Sequence, residues 1–276
     1  MGLQIASINS GSNGNCYYVG TDKAAVLIDA GISCRETIRR MDQLGLEIDK
    51  VKAIFISHEH SDHISGLPVL AKKYALPVYI TESTQRSGRL NLDPSRLFRF
   101  QSEESVPIGD LHVLPFRKYH DAADPHSFVV STAGTHVAVL TDIGQTCEKV
   151  IHYFKQCQAA FLESNYDRDM LMNGAYPLHL KKRISDGEGH LSNDEALNLF
   201  TQNRHPELKH LVLSHLSQNN NDPKRVEQLF APHMGRTHLH VASRYAPSPV
   251  FDLPVLSTET ISIYKPYRKP EQLSLF

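Results

Sequence analysis

The fold is decided by one stretch, His58-Glu59-His60-Ser61-Asp62-His63, which directly follows the apolar run at residues 51–56. The run predicts a buried strand, and an extended backbone points His58 and His60 to the same side because they lie two residues apart. Asp62 and His63 follow in the turn that opens a helix. Imidazoles and carboxylates suit Zn²⁺, Mn²⁺ or Fe. The stretch therefore predicts a metal site rather than a solvated, charged loop.

Other apolar runs end in the same kind of residue. Residues 24–28 precede Asp29, residues 137–140 precede Thr141 and Asp142, residues 159–162 precede Glu163, and residues 211–213 precede Ser214 and His215. Alternation of such runs with helical patterns predicts a layered α/β fold. Open α/β sheets bind ligands at the carboxyl ends of their strands, so we expect these side chains to converge there.

Composition limits the function classes. The chain has 276 residues, 41% of them hydrophobic, which suits one large domain or two fused halves. The formal net charge of −1 gives no global positive field, so nucleic acid would bind through local patches. We find no secretory signal, no membrane-length apolar stretch and four scattered cysteines, which indicates a cytoplasmic protein without a membrane partner. We expect a main domain at residues 1–245 and an appendage at 246–276 with a short strand at 261–264 and a flexible tail.

The ordered motifs resemble those of hydrolases with the metallo-β-lactamase fold, including Gly66 three residues after His63. The resemblance implies an αββα four-layer sandwich, with two mixed sheets between helices, and two divalent metal ions, Zn²⁺ or Mn²⁺ with Fe as an alternative. One ion would bind His58, His60, His120 and Asp142, and the other Asp62, His63, His215 and Asp142. Asp29 would orient a ligand. His126 is the alternative to His120. We favour His120 because it directly follows the apolar-to-polar break after residue 116.

Two further segments bear on the reaction. Glu163 follows a strand, and His190 lies just before the start of a predicted helix. They resemble the glutamate and histidine pair of tRNA 3′-processing enzymes, in which the histidine protonates the leaving oxygen of a phosphodiester. The resemblance implies catalytic roles for Glu163, His190 and Asp62. The alternative is that His190 is a loop residue and Ser192 or Asn193 merely caps the helix.

Two segments are candidates for phosphate contacts. Lys181, Lys182 and Arg183 form a basic run that either holds backbone phosphates or is a solvated face. Residues 10–15 form a glycine-rich turn, in which Ser12 and Asn13 either meet a phosphate or simply join two strands.

The more specific resemblance is to YycJ/WalJ-type proteins of this fold, and it is carried by residues 11–16, 58–63, 120–125, 162–167, 189–193 and 213–220. The resemblance to that family implies 5′→3′ exonuclease action on double-stranded DNA and a role in DNA repair. The alternatives are an RNA-processing nuclease, a hydrolase of small phosphodiesters or thioesters, and a non-catalytic adaptor.

The chain ends in Gln272-Leu273-Ser274-Leu275-Phe276. This pentapeptide resembles the short segment by which bacterial replication and repair proteins bind the DNA sliding clamp. A glutamine supplies hydrogen bonds, and leucine and phenylalanine supply anchors for an apolar cleft. The alternative is a terminus that packs against its own domain.

Overall fold

Fourteen strands lie in the part of the chain that the computed structural model describes, which is residues 2–254 and 266–267. They are β1 (Leu3–Asn9), β2 (Cys16–Gly20), β3 (Ala25–Ile28), β4 (Val51–Phe55), β5 (Val78–Tyr79), β6 (Leu97–Phe98), β7 (Val106–Ile108), β8 (Leu111–Arg117), β9 (His126–Thr132), β10 (Thr135–Leu140), β11 (Ala159–Glu163), β12 (His210–Ser214), β13 (His238–Val241) and β14 (Phe251–Leu253).

The strands form two sheets of seven. The first sheet has the order β14-β1-β2-β3-β4-β5-β6, and the second has the order β13-β12-β11-β10-β9-β8-β7. Each sheet is mixed. The strands from β3 to β6 are parallel to one another, as are those from β10 to β13, and the remaining pairs are antiparallel.

The helices are α1 (Cys34–Gln43), α2 (Ser61–Ile64), α3 (Leu67–Tyr74), α4 (Glu82–Ser87), α5 (Glu148–Phe154), α6 (Arg168–Asn173), α7 (Leu178–Ser185), α8 (Asn193–Asn203) and α9 (Pro223–Phe230). Capping side chains set several helix starts. Ser33 accepts from the Glu36 amide, and Ser192 forms a capping box with Glu195. None of the helices described combines the length and apolar character needed to cross a bilayer.

The apolar core has three parts, which define four layers. The central part lies between the sheets, and outer parts lie beneath α1 and α3 on the first sheet and beneath α5, α8 and α9 on the second. Strand β10 shows why, because Val137 and Val139 enter the central core while Ala138 and Leu140 enter the outer one. This alternation is the period of two that a strand buried on both faces requires. The αββα sandwich expected from the sequence is confirmed.

The segment predicted as an appendage contributes a strand to the first sheet. Strand β14 pairs antiparallel with β1, with Leu253 opposite Leu3 and Phe251 opposite Ile5. The division of the chain at residue 245 stays a prediction. The short strand predicted at 261–264 and the terminal pentapeptide lie outside the described residues.

Candidate metal centre

The candidate ligands lie where strands of both sheets end. His58 and His60 follow β4, Asp142 lies two residues beyond β10, and His215 directly follows β12. The segment between β8 and β9 supplies His120. Three of these residues (His60, Asp142 and His215) line a cavity of about 240 Å³ together with Asp62, His190 and Ser217. The sheet packing thus brings together residues that are far apart in the chain.

Two of these residues, and Asp29 beside them in the site, have a left-handed backbone conformation. The φ angle is 64° at Asp29, 53° at Asp142 and 57° at His215. The left-handed region costs a residue with a Cβ roughly 1–2 kcal/mol, because Cβ approaches a carbonyl oxygen. Glycine would relieve this strain but would remove the ligand atom. Carboxylates and an imidazole at such positions therefore indicate a functional constraint on the side chain.

A first cluster of ligand atoms consists of three imidazoles. His58 Nε2 lies 3.1 Å from His60 Nδ1, and His120 Nε2 lies 3.3 Å from the same atom. His120 Nε2 is also 3.7 Å from Asp142 Oδ1. A Gly189 carbonyl contact at 2.9 Å fixes the ring of His120 through Nδ1. The ring nitrogens converge as the binding of one shared metal ion would require.

A second cluster contains Asp62, His63 and His215, and Asp142 lies between the two. Asp62 Oδ2 is 3.3 Å from His215 Nε2 and 3.5 Å from His63 Nε2. Asp142 Oδ2 is 3.1 Å from His63 Nε2, while its Oδ1 faces His120 and is 3.3 Å from His215 Nδ1. One carboxylate thus faces both clusters.

The donor set fits divalent cations. In each cluster the ligand atoms lie within 4.8 Å of one another. Asp142 Oδ2 is buried and accepts no hydrogen bond in spite of its proximity to His63. A buried carboxylate oxygen without a hydrogen bond is costly unless a cation compensates it. Histidine and aspartate are the ligands that Zn²⁺ and Mn²⁺ accept. The residues of the site therefore fit divalent metal ions.

The protonation states agree with cation binding. Burial lowers the pKa of His58 well below its usual value and that of His120 to about 3, so both rings are neutral. Burial raises the pKa of Asp142, but the histidines His215 and His63 outweigh it and hold the pKa well below its usual range. Burial lowers the pKa of His63, but Asp142 and other carboxylates raise it well above its usual value. Because these carboxylates favour a proton on buried His63, they also favour the positive charge that a bound cation would bring to the same site.

Asp29, which the sequence predicts to orient a ligand, contacts His63. Its Oδ2 is 2.7 Å from His63 Nδ1. The amide and hydroxyl of Ser57 each donate to Asp29 at 2.8 Å. The aspartate is fully buried, so these contacts fix the ring with Nε2 directed at Asp62 and Asp142.

Glu163 contacts two histidines at once. Its Oε1 lies 2.8 Å from His190 Nδ1 and 2.9 Å from His215 Nδ1. Its Oε2 accepts from the amides of Ile143 at 2.6 Å and Leu191 at 3.2 Å. Burial raises the pKa of Glu163. The charge of His190 and the hydrogen bonds of His190 and His215 have the larger effect, and the net pKa is lowered to about 2. Glu163 is thus a buried anion that couples a candidate ligand to a histidine at the cavity.

Comparison with known proteins agrees with this geometry. A family model described as a beta-lactamase superfamily domain matches residues 24–216. Exodeoxyribonuclease YycJ from Bacillus anthracis is 39% identical over 224 residues, which cover 80% of this chain and 85% of the relative. Exodeoxyribonuclease WalJ from Streptococcus pneumoniae is 31% identical over 226 residues, which cover 80% and 84%. The chain belongs to the YycJ/WalJ family.

The fold is shared more widely than the YycJ/WalJ family. The crystal structure of Zn²⁺-bound PqqB from Methylobacterium extorquens superposes with a TM-score of 0.72 over 91% of this chain and all of that one, at 15% identity. This likeness concerns the fold alone. Family membership and the histidine and aspartate clusters make the chain a metal-dependent hydrolase, as expected from the sequence.

In this YycJ/WalJ-family chain, the structure brings His120 and not His126 to the clusters. His126 begins β9, and its Nδ1 lies 2.9 Å from the Asp124 carbonyl oxygen. Its ring packs against Phe100 with centroids 5.1 Å apart, in a separate cavity. The geometry therefore favours the predicted choice of His120 as the ligand.

The segments predicted to contact phosphate lie at different distances from the cavity. Ser12 and Arg183 line it. Arg183 is paired with Asp121 through an Nε to Oδ2 contact of 2.5 Å. Lys181 donates to the Met172 carbonyl oxygen at 2.7 Å, and neither Lys181 nor its neighbour Lys182 lines the cavity. Asn13 is exposed, and its Nδ2 donates to the Arg244 carbonyl oxygen at 3.1 Å.

Sequence reasoning missed two residues that contact the clusters. Asn15 Nδ2 lies 3.1 Å from both Asp62 Oδ2 and His63 Nε2, so this buried amide fixes both candidate ligands. Asp121 Oδ1 lies 3.5 Å from His120 Nε2. Their positions gave weak signals, because Asn15 lies in the glycine-rich turn and Asp121 directly follows a ligand.

Gly31 permits the loops around these ligands to close. A Cβ at Gly31 would lie 1.7 Å from the Asp62 carbonyl oxygen and 2.6 Å from the Asn15 amide nitrogen. These backbone groups already bond one another, since the Asn15 amide donates to the Asp62 carbonyl at 2.6 Å. Only glycine fits this approach.

Proposed function

We propose that this chain is a two-metal exonuclease that degrades double-stranded DNA in the 5′→3′ direction during DNA repair in the cytoplasm. The observation that carries the proposal is Asp142, a single buried carboxylate placed between two clusters of candidate ligands. Its family relatives named exodeoxyribonucleases support a DNA substrate.

The chain's own residues divide into two ligand sets that share Asp142. His58, His60 and His120 form one set, and Asp62, His63 and His215 form the other. Zn²⁺ or Mn²⁺ bound there would supply Lewis acidity and would lower the pKa of water at the site. Asp62 also faces the cavity, where it positions the reacting groups.

The proton for the leaving oxygen comes from His190. Its Nδ1 is engaged by Glu163, so Nε2 is the nitrogen left to face a substrate. The side chain is 23% exposed and lines the cavity, whereas Glu163 is fully buried. A carboxylate behind an imidazole stabilises its charged form and fixes its orientation, which suits a general acid.

The experiment compares 5′-labelled and 3′-labelled linear duplex DNA with Mn²⁺ or Zn²⁺. We expect the 5′ label to appear in mononucleotides at once and the 3′-labelled strand to shorten progressively. His58→Ala and Asp62→Asn should abolish cleavage, and His112→Ala, an exposed histidine on β8, should not. Equal activity of wild type and Asp62→Asn refutes the assigned chemistry. Cleavage of RNA or of bis(p-nitrophenyl) phosphate without action on duplex DNA selects one of the alternative substrates.

We further propose that residues 272–276 recruit the enzyme to the bacterial DNA sliding clamp. The support is the terminal pentapeptide itself, with its glutamine and two apolar anchors. Leu273→Ala combined with Phe276→Ala should abolish clamp binding in surface plasmon resonance and leave cleavage of free duplex unchanged. Clamp binding by the double variant at wild-type affinity refutes the proposal.

A further inference from the structure

One guanidinium, which is bonded to the cavity-lining residue Ser12, has no part in the ligand clusters. Arg244 Nη1 donates to Gln218 Oε1 at 2.7 Å, and Nη2 lies 3.2 Å from both Ser12 Oγ and the Leu216 carbonyl oxygen. All three acceptors are neutral. No carboxylate in the described part of the chain forms an ion pair with Arg244, whereas Arg183, which lines the cavity, is paired with Asp121. Arg244 thus keeps an uncompensated positive charge.

The backbone around Arg244 is held in place before any ligand arrives. Asn13 Nδ2 donates to the Arg244 carbonyl oxygen at 3.1 Å, and Arg40 Nη2 donates to the next carbonyl, that of Tyr245, at 3.3 Å. Arg40 is itself buried and bonded to Glu36 at 2.6 Å. With the backbone held in this way and the guanidinium held by its own three contacts, the Arg244 side chain loses little entropy on binding.

The guanidinium lies next to the metal centre. Its partner Leu216 directly follows the candidate ligand His215, and its partner Ser12 lines the same cavity as His215. The loop that carries Ser12 is also bonded to the ligand, since the His215 amide donates to Ser10 Oγ at 2.7 Å. A group bound by Arg244 and Ser12 would therefore lie beside the group bound at the metals.

The free donors of Arg244 and of the neighbouring turn suit a phosphate. Guanidinium has five N–H donors, and three contacts with neutral oxygens leave donors for an anion. The amides of Ser12 and Asn13 bond no acceptor among the described residues, and the Ser12 hydroxyl is exposed. Gly11, with a φ of 128°, allows the close approach, because a Cβ there would lie 3.0 Å from Arg244 Nη2. Arginine with turn amides and a hydroxyl is a common phosphate-binding set.

We propose that Arg244, with Ser12, binds a phosphate of the DNA strand adjacent to the phosphate that is cleaved. This inference rests on the proposed nuclease function and adds a substrate-binding residue to it. The phosphate is either the terminal 5′-phosphate or an internal one, and both have the same chemistry. Arg244 holds the strand in register and takes no part in the chemical step.

The test uses Arg244→Gln and Arg244→Lys in the full-length, metal-loaded protein. Arg86→Gln is the matched control, because it removes one exposed arginine that is paired with Glu82 away from this cavity. Cleavage is measured on duplexes with 5′-phosphate and 5′-hydroxyl ends, and binding of the same duplexes is measured by fluorescence anisotropy in EDTA over a range of salt. Metal content and Tm are measured for every protein.

We expect Arg244→Gln to raise KM and weaken binding roughly tenfold to hundredfold, the effect of one charge-assisted contact, with kcat, metal content and Tm unchanged. The salt dependence of binding should become shallower by about one unit in Arg244→Gln and recover in Arg244→Lys. An effect confined to 5′-phosphorylated ends identifies the terminal phosphate, and an equal effect on both ends identifies an internal one.

Two results overturn the inference while the proposed function stands. The first is wild-type KM and salt dependence in Arg244→Gln. The second is a fall in Tm or metal content with an unchanged salt dependence, which would mean that Arg244 only holds the neighbouring loops together. A wild-type protein that neither cleaves nor binds DNA refutes the proposed function itself.

Discussion

Replacing Glu163 with glutamine tests how one buried carboxylate serves two histidines. The backbone amides of Ile143 and Leu191 both donate to Oε2, so the glutamine carbonyl oxygen should remain there. The NH₂ group then replaces Oε1 and faces the Nδ1 atoms of His190 and His215. The substitution keeps the two contacts that hold the fold and removes the two that involve imidazoles.

The expected loss follows from these two contacts. A hydrogen bond to a charged group contributes about 1.5–3 kcal/mol, and loss of the His190 contact in the transition state thus lowers kcat roughly tenfold to hundredfold. Loss of a residue that orients a ligand such as His215 costs a further 10–100-fold or so in activity or metal affinity. We expect kcat of Glu163→Gln to fall by about 10² to 10⁴, within the range typical of general acid catalysis.

The assay measures kcat on labelled duplex at equal metal content, which is determined by elemental analysis, together with Tm. Glu195→Gln is the matched control, because Glu195 caps α8 through Ser192 and contacts neither histidine. A kcat for Glu163→Gln within about threefold of wild type, less than 1 kcal/mol, would refute the role of Glu163. Full recovery of kcat at higher metal concentration would place the whole effect at His215 and refute the role through His190.

Three further predictions concern the ligands and the loops that hold them. Asn15→Ala should lower metal affinity or activity by about 10–100-fold, because the amide fixes Asp62 and His63; unchanged metal titrations would contradict this. Gly31→Ala should lower the free energy of unfolding by about 1–3 kcal/mol or more in urea titrations, because its Cβ would overlap backbone atoms. In metal-free protein, burial lowers the pKa of His215, but the neighbouring carboxylates outweigh burial and raise this pKa to about 10. The pKa of the same histidine in the unfolded chain is about 6.5. The stabilisation is therefore full below pH ~6.5 and lost as pH rises through about 10, so urea stability should fall between pH 7 and pH 10 with EDTA, and fall less in His215→Asn.

Local spacing carried most of the information on the ligands. His58, His60 and His63 lie within six residues of one another after β4, so their proximity follows from chain connectivity. Asp142 and His215 could be assigned because each comes at the end of an apolar run, and the ends of parallel strands meet at one edge of a sheet. The layered fold followed from the same runs, whose buried faces require a partner layer.

By itself, then, the sequence determined which apolar strands end in polar, ligand-type residues. It also determined the type of chemistry that those residues carry. Only the tertiary structure decided that Glu163 also contacts His215, 52 residues away, that Asn15 holds Asp62, and that Arg244 meets Ser12 across 232 residues. These contacts depend on how loops from two packed sheets meet at one cavity. Because no periodicity or local spacing encodes where separate loops converge, packing of the two sheets against each other had to place them.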